Sequence, residues 1–212
     1  MTGRRAAFLA LVLVVGLAGG FATSWVVGEN PPGSGAAAPV AAASPSLPVD
    51  PVPELLPDPD YPPLEPGVPL VDTVVGRGED FQMTVPAPEG WRLVPIALNE
   101  WQWRPTDRAQ SFGYVMRVAQ VLSNRRSIDW TLERRIDDLD EDEQNFRVEE
   151  QTDDSLHYTY VTNNHLRHGY LAWLDVTGGD NAQVEIAVSG RAVDQAGLAD
   201  LVARVAAGVR LG

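Results

Sequence analysis

From Phe81 onward the chain alternates. Phe81, Met83 and Val85 point one way in FQMTV before Pro86, and Trp101 and Trp103 share one side of WQWR before Pro105. Phe112, Tyr114, Met116 and Val118 alternate next, and Phe146 with Val148 begins another run. Leu156, Tyr158 and Tyr160 follow, then Tyr170, Ala172, Leu174 and Val176, and last Val184, Ile186 and Val188. A period of two marks strands with one buried face, so about seven short strands are predicted. Two stretches switch to the helical period. After Ser127, a capping residue, Ile128, Leu132, Ile136 and Leu139 fall on one helix face. After Asp194, Leu198, Leu201, Val202, Val205 and Val209 do the same, with Val193 and Leu198 spaced as a hydrophobic staple. Connections are short and hairpin-like, without strand–helix–strand alternation. The predicted class is therefore α+β: an antiparallel sheet of six to seven strands with two amphipathic helices against it.

Ahead of this pattern lie two segments of different character. Residues 6–27 read AAFLALVLVVGLAGGFATSWVV, without a charge. As a helix they span about 33 Å, which matches a hydrocarbon core of about 30 Å. Arg4 and Arg5 precede the run and no basic residue follows until Arg77, so the positive-inside rule puts residues 1–5 in the cytoplasm and the remainder outside. Trp25 sits near the outer end, where an indole favours the interface. The expectation is a single-pass signal anchor in the cell membrane. The competing expectation is a cleaved secretory signal, with small-residue cleavage sites at Ala18–Gly20 or Gly20–Ala22, giving a secreted protein. Residues 28–69 hold 13 of the 17 prolines and carry six acids with no base. Proline forbids regular helix and ladder pairing, so this stretch is predicted to be a disordered, extended linker, and residues 70–212 the extracytoplasmic domain.

Composition removes much chemistry. All 16 basic residues are Arg, and the chain has neither Lys nor Cys. Disulfides, thiolate nucleophiles, zinc–thiolate centres, a Schiff-base lysine and a Walker phosphate loop are excluded. A net charge of −13 argues against a nucleic-acid partner.

Three constellations remain. The dipeptide Asn163-Asn164 suits a hairpin turn, which would set His157 opposite Tyr170 and His168 opposite Thr159. His157 and His168 then share a face while His165 points through the other, so His165 and His168 cannot chelate one metal. His157 and His168 with a carboxylate from elsewhere are the remaining metal geometry, and ordinary half-buried histidines the simpler one. Asp138, Asp140, Asp142 and Glu149 occupy positions 1, 3, 5 and 12 of a calcium-loop pattern, but Glu143 stands where the turn needs Gly. A solvated acidic helix end, fraying against the dipole, is the expectation there. Trp101 and Trp103 are core by default. An open side to that face, with Arg104 and Arg117 nearby, would make them a platform for a sugar or an aliphatic chain. No serine elbow occurs, and no catalytic residue, metal or cofactor is expected.

The order of elements resembles a known family. A strand ending Val85-Pro86, then Glu89-Gly90-Trp91, two strands, a helix, an antiparallel run and a C-terminal helix resembles the PsbP-like fold, from Phe81 to Arg210. Exported actinobacterial proteins linked to secretion are among its members, and the Arg-only, Ala/Gly/Val/Pro-rich composition looks like a high-GC genome. The resemblance implies a non-enzymatic accessory or interaction domain with an envelope protein as partner. A module binding a wall polymer or small ligand through the tryptophan face is the alternative, and a wall hydrolase the third.

Overall fold

The first alternating run, Phe81 to Val85, falls in a separate sheet, while the other six pair, all antiparallel, into a seven-stranded sheet that Arg92–Ala97 completes. In spatial order it holds β3 (Arg92–Ala97), β4 (Glu100–Arg104), β5 (Val115–Gln120), β9 (Val184–Gly190), β8 (His165–Leu174), β7 (Ser155–Thr162) and β6 (Gln144–Gln151). A second sheet holds β1 (Leu70–Arg77), β2 (Phe81–Pro88) and the two-residue β10 (Arg210–Leu211) in that order. Helix α1 (Ile128–Asp142) links β5 to β6, and α2 (Gln195–Ala206) follows β9 after a 3-10 turn. This computed structural model describes residues 54–77, 81–107, 110, 113–121 and 126–212. They all belong to one compact unit, Pro51–Gly212. The class is α+β, as the periodicity predicts. The membrane anchor and most of the linker lie outside the described residues, and among those described no helix is long and apolar enough to cross a membrane.

The large sheet is buried on both sides in its middle. Trp101, Trp103, Met116, Val118, Val184, Ile186 and Val188 line one face and pack against Leu198, Leu201, Val202 and Val205 of α2 and Met83 and Val85 of β2. On the other face Leu156, Tyr158, Leu171 and Trp173 pack against Leu132 and Leu139 of α1. Strand β8 alternates between the two cores, Tyr170 and Ala172 going one way and Leu171 and Trp173 the other, which is why its second half has almost no polar position. Three strands escape the alternation rule. The edge strands β1 and β3 expose apolar residues, with Val74 60% and Ile96 45% exposed, and β10 is too short for a period.

Local chemistry explains the helix ends. Ser127 Oγ accepts from Trp130 N at 3.2 Å and caps α1 as expected. The acidic end is helical through Asp142, where Glu143 N donates to Leu139 O at 2.9 Å and Leu139 is 3% exposed. At α2 the expected staple is not formed: Val193 is 64% exposed. Asp194 does not cap through its side chain either, because that carboxylate is committed to Arg191.

That commitment moves the domain boundary. Residues 54–69, predicted as the end of a free linker, lie against the domain as a strap. Arg191 and Asp194 are 1% and 0% exposed. Arg191 Nε and Nη2 donate to the two Asp194 carboxylate oxygens at 2.8 and 2.7 Å. The remaining guanidinium hydrogens reach strap carbonyls, Nη1 to Pro59 O and Tyr61 O and Nη2 to Pro62 O, each at 3.1 Å. The guanidinium also lies 3.7 Å from the centre of the Tyr61 ring. Asp194 Oδ1 accepts Leu64 N at 2.8 Å, and the Leu64 side chain is 5% exposed in the first core. Further on, Gly67 N donates to Asp200 Oδ2 at 2.8 Å and Arg204 Nη1 to Val68 O at 2.9 Å, both from α2. Upstream, Leu56 N donates to Asn164 O at 2.8 Å at the hairpin tip. Prolines have no N–H to satisfy, so the proline-rich strap is held through its carbonyls and through the N–H groups of Leu56, Leu64 and Gly67.

Two glycines make room for the strap. A Cβ on Gly197 would sit 2.0 Å from Leu64 O, and one on Gly113 would sit 1.5 Å from the Tyr61 hydroxyl. Helix propensity alone makes Gly197→Ala stabilising by about 1 kcal/mol. With the strap seated, we expect a loss of about 1–3 kcal/mol in chemical denaturation instead. A chain starting at residue 70 is expected to lose its cooperative melt, whereas one starting at residue 54 keeps it. An unchanged or raised melting temperature for Gly197→Ala would show that the strap is not seated there.

Candidate functional site

Pairing register decides where each candidate residue points. Trp101 stands opposite Val118 and Trp103 opposite Met116, on the face closed by α2. The indoles are 8% and 1% exposed. They do share one side of the sheet, as their spacing requires, but that side is the interior. Arg104 and Arg117 have the opposite parity and lie on the other face, with Arg117 opposite Gln102. The stacking platform of two indoles and two arginines is therefore not assembled. What the sequence leaves invisible is the lid: α2 and β2 cover the tryptophans, and only their docking distinguishes an open aromatic face from a core.

On the arginine face a polar network replaces the platform. Arg117 Nη1 donates to Glu100 Oε1 at 2.8 Å and its Nη2 to Glu185 Oε1, while Trp173 Nε1 donates to Glu185 Oε2 at 3.2 Å. Burial alone would lower the guanidinium's proton affinity, but Glu185 and the Glu100 hydrogen bond outweigh it and hold Arg117 above the ordinary arginine range. Arg104 Nε donates to Gln102 Oε1 at 2.8 Å. Both carboxylates are engaged by a cation, so the network reads as structural bracing across β4, β5 and β9.

The histidine geometry is as the turn dictates. Asn163 and Asn164 have φ of 49° and 64°, the left-handed pair of a tight hairpin, and His157 pairs with Tyr170 and His168 with Thr159. His157 Nε2 and His168 Nδ1 meet at 3.0 Å, and His157 stacks on Tyr170 with ring centres 4.2 Å apart. His165 turns elsewhere, 3.5 Å from Asp58. Among the described residues no three His, Asp or Glu side chains converge as a metal site, so the carboxylate-completed pair is not assembled here.

The calcium pattern is dissolved by helix. Asp138, Asp140 and Asp142 all lie within α1 and Glu149 on β6. A step of two residues turns about 200° around a helix, so Asp140 points away from Asp138 and Asp142 and the three carboxylates do not line one loop. Arg134 pairs with Asp138 at 2.7 Å on the helix surface.

One surface was missed by pattern reading. Strand β3 is an outer edge of the large sheet, and Leu93 through Leu98 run LVPIAL without a charge. Leu93, Ile96 and Leu98 are 36%, 45% and 79% exposed. The opposite edge, β6, reads QNFRVEEQ and carries two register shifts, the usual guards of a sheet edge. On β3 the guard is Pro95 and one irregularity next to it. The signal was present as an apolar run with no period of two.

Trp103→Ala is expected to cost about 3–5 kcal/mol in chemical denaturation, as for other core aromatics. An unchanged midpoint would reopen the tryptophan face as a binding surface.

No family model and no curated protein matches this chain. Among solved structures it is similar to LpqN of Mycobacterium tuberculosis, described as involved in cell envelope biogenesis. Identity is 14%, with 67% of this chain and 91% of that chain covered, and the TM-score is 0.43. A likeness of that size fixes neither a fold family nor a function for this chain.

Proposed function

We propose that this chain is a membrane-anchored, extracytoplasmic and non-catalytic interaction module that binds another protein of the cell envelope. In this reading residues 6–27 hold it in the membrane with residues 1–5 in the cytoplasm, and the acidic proline-rich segment carries the folded domain away from the bilayer. The uncharged apolar run, the two arginines ahead of it and the absence of any base until Arg77 support that topology. The PsbP-like order of elements, with its mostly non-enzymatic members, supports a binding role.

The observation that carries the reading is the unequal pair of sheet edges. β6 is charged and irregular, whereas β3 and the turn after it present Leu93, Ile96 and Leu98 to solvent. Exposed apolar residues gathered along an unpaired sheet edge are what a protein partner covers. Pro95 removes one ladder donor, so the partner is read mainly through side chains and only in part by strand addition. Binding of a wall polymer through Trp101 and Trp103 has lost its support, since the indoles are interior.

The test is site-specific photo-crosslinking in intact cells, with the probe at position 98 or, as a control, at position 150 on β6. The expected result is one discrete protein adduct from position 98 and none from 150. Ile96→Asp with Leu98→Asp should abolish the adduct while shifting stability by no more than about 0.5 kcal/mol per change, as at other surface positions. Equal, diffuse labelling from both positions would overturn the reading.

A further inference from the structure

His157 and His168 serve neither core nor apolar edge, and their geometry is unusual. Their ring centres are 5.3 Å apart with planes 25° from parallel. That is the longest separation a 3.0 Å contact between His157 Nε2 and His168 Nδ1 allows, so the two nitrogens face each other along the line joining the rings. An end-on contact of this kind is an N–H···N bond with room for one hydrogen. It also leaves no common point toward which both lone pairs aim, which disfavours a shared metal ion.

The surroundings link this bond to the rest of the fold. His157 is parallel to Tyr170, with 3° between the planes, and the Tyr170 side chain is hydrogen-bonded to Gln195, the first residue of α2. The groups facing the pair come from three neighbours. β6 contributes Glu149, Glu150 and, opposite Thr159, Arg147. Glu149 Oε1 accepts the Thr159 hydroxyl at 2.8 Å. β9 brings only Gly190 opposite His168. α2 brings the neutral Gln195, next to an Asp194 already closed on Arg191.

We propose that His157 and His168 form a one-proton clasp between β7 and β8. The neutral pair keeps one hydrogen on the shared line. A first added proton goes to an outward-facing ring nitrogen and leaves that line intact. A second makes both facing nitrogens donors, which opens the contact, frees the Tyr170 ring and loosens its hold on the start of α2. The clasp thus answers acidification at the junction where α2, Asp194 and the strap meet.

Burial holds both rings below the ordinary histidine value of 6.5, and His168 lowers His157 further against the pull of Glu149 and Glu150. The unfolded chain takes up protons at the ordinary value. The clasp's contribution to stability is therefore complete above pH 6.5 and is lost as pH falls from there through the lowered folded values.

The test is a titration of the full chain in detergent micelles with histidine labelled in the ring, followed by NMR from about pH 8 to about pH 4. With only three histidines in the sequence, assignment is direct. We expect His157 and His168 to titrate in two steps separated by about one unit or more, with Tyr170 ring signals moving on the second step only. Denaturation at about pH 7 and about pH 5 should show a larger acid loss in the native chain than in His168→Gln. A single shared step at the ordinary value, or Tyr170 signals that never move, would overturn the clasp. So would equal acid losses in the two chains. If His168→Gln does not fold, the titration of the native chain decides alone.

Discussion

A single buried ion pair organises the way this chain closes on itself. Arg191 and Asp194 sit three residues apart at the end of β9. Bare, two such charges in an interior cost more to desolvate than their attraction returns. Here the cost is offset because every guanidinium hydrogen has an acceptor, and three of those acceptors are carbonyls of the strap. The pair is thus complete only when residues 59–64 are in place. Helix α2 begins on the same aspartate, and its Gly197 is the seat of Leu64. Remove the strap and the ion pair survives, but three guanidinium hydrogens lose their acceptors and the seat of Leu64 in the larger core is left open.

This dependence explains the division of labour across the sheet. The middle strands are buried on both faces, so polar groups there must be paired, and the Arg117 network spanning Glu100, Glu185 and Trp173 does that for the half that α1 leaves uncovered. Toward β6 the sheet becomes polar and carries the histidine pair. Toward β3 it becomes apolar and open. Each edge has one character, and the interior separates them.

Periodicity made the interior legible. Strands β2, β4, β5, β7, β8 and β9 and the two helices could be read from alternation and from the 3.6 period, and Asn163-Asn164 placed the histidines in register. What escaped was decided by tertiary contact. Trp101 and Trp103 carry the same alternation in a core as on an open platform, and only the docking of α2 separates the two. β3 has no period because neither of its faces is fully covered. The acids from Asp138 to Asp142 match a loop pattern in one dimension, yet Leu139 in their midst is buried and keeps them helical. Arg191 and Asp194 gave only a faint signal, an arginine and an aspartate beside a valine that looked like a staple. The strap looked like free linker because proline-rich composition reports the absence of helix and ladder, and that absence is equally true of a chain pinned by its carbonyls.

The strap also sets how tension would enter the fold. A pull on the chain ahead of Glu54 meets first the pairing of Leu56 with Asn164 and the contact of Arg167 with Asp58, both at the hairpin tip. These are separate contacts at different residues of the strap, and each could be lost without the other. The next attachment gathers three carbonyls on the one Arg191 guanidinium, and behind it Leu64 is plugged into the core. The chain would lengthen by a few residues and then meet that second attachment. A domain built this way would give at its attachment before it gave in its body.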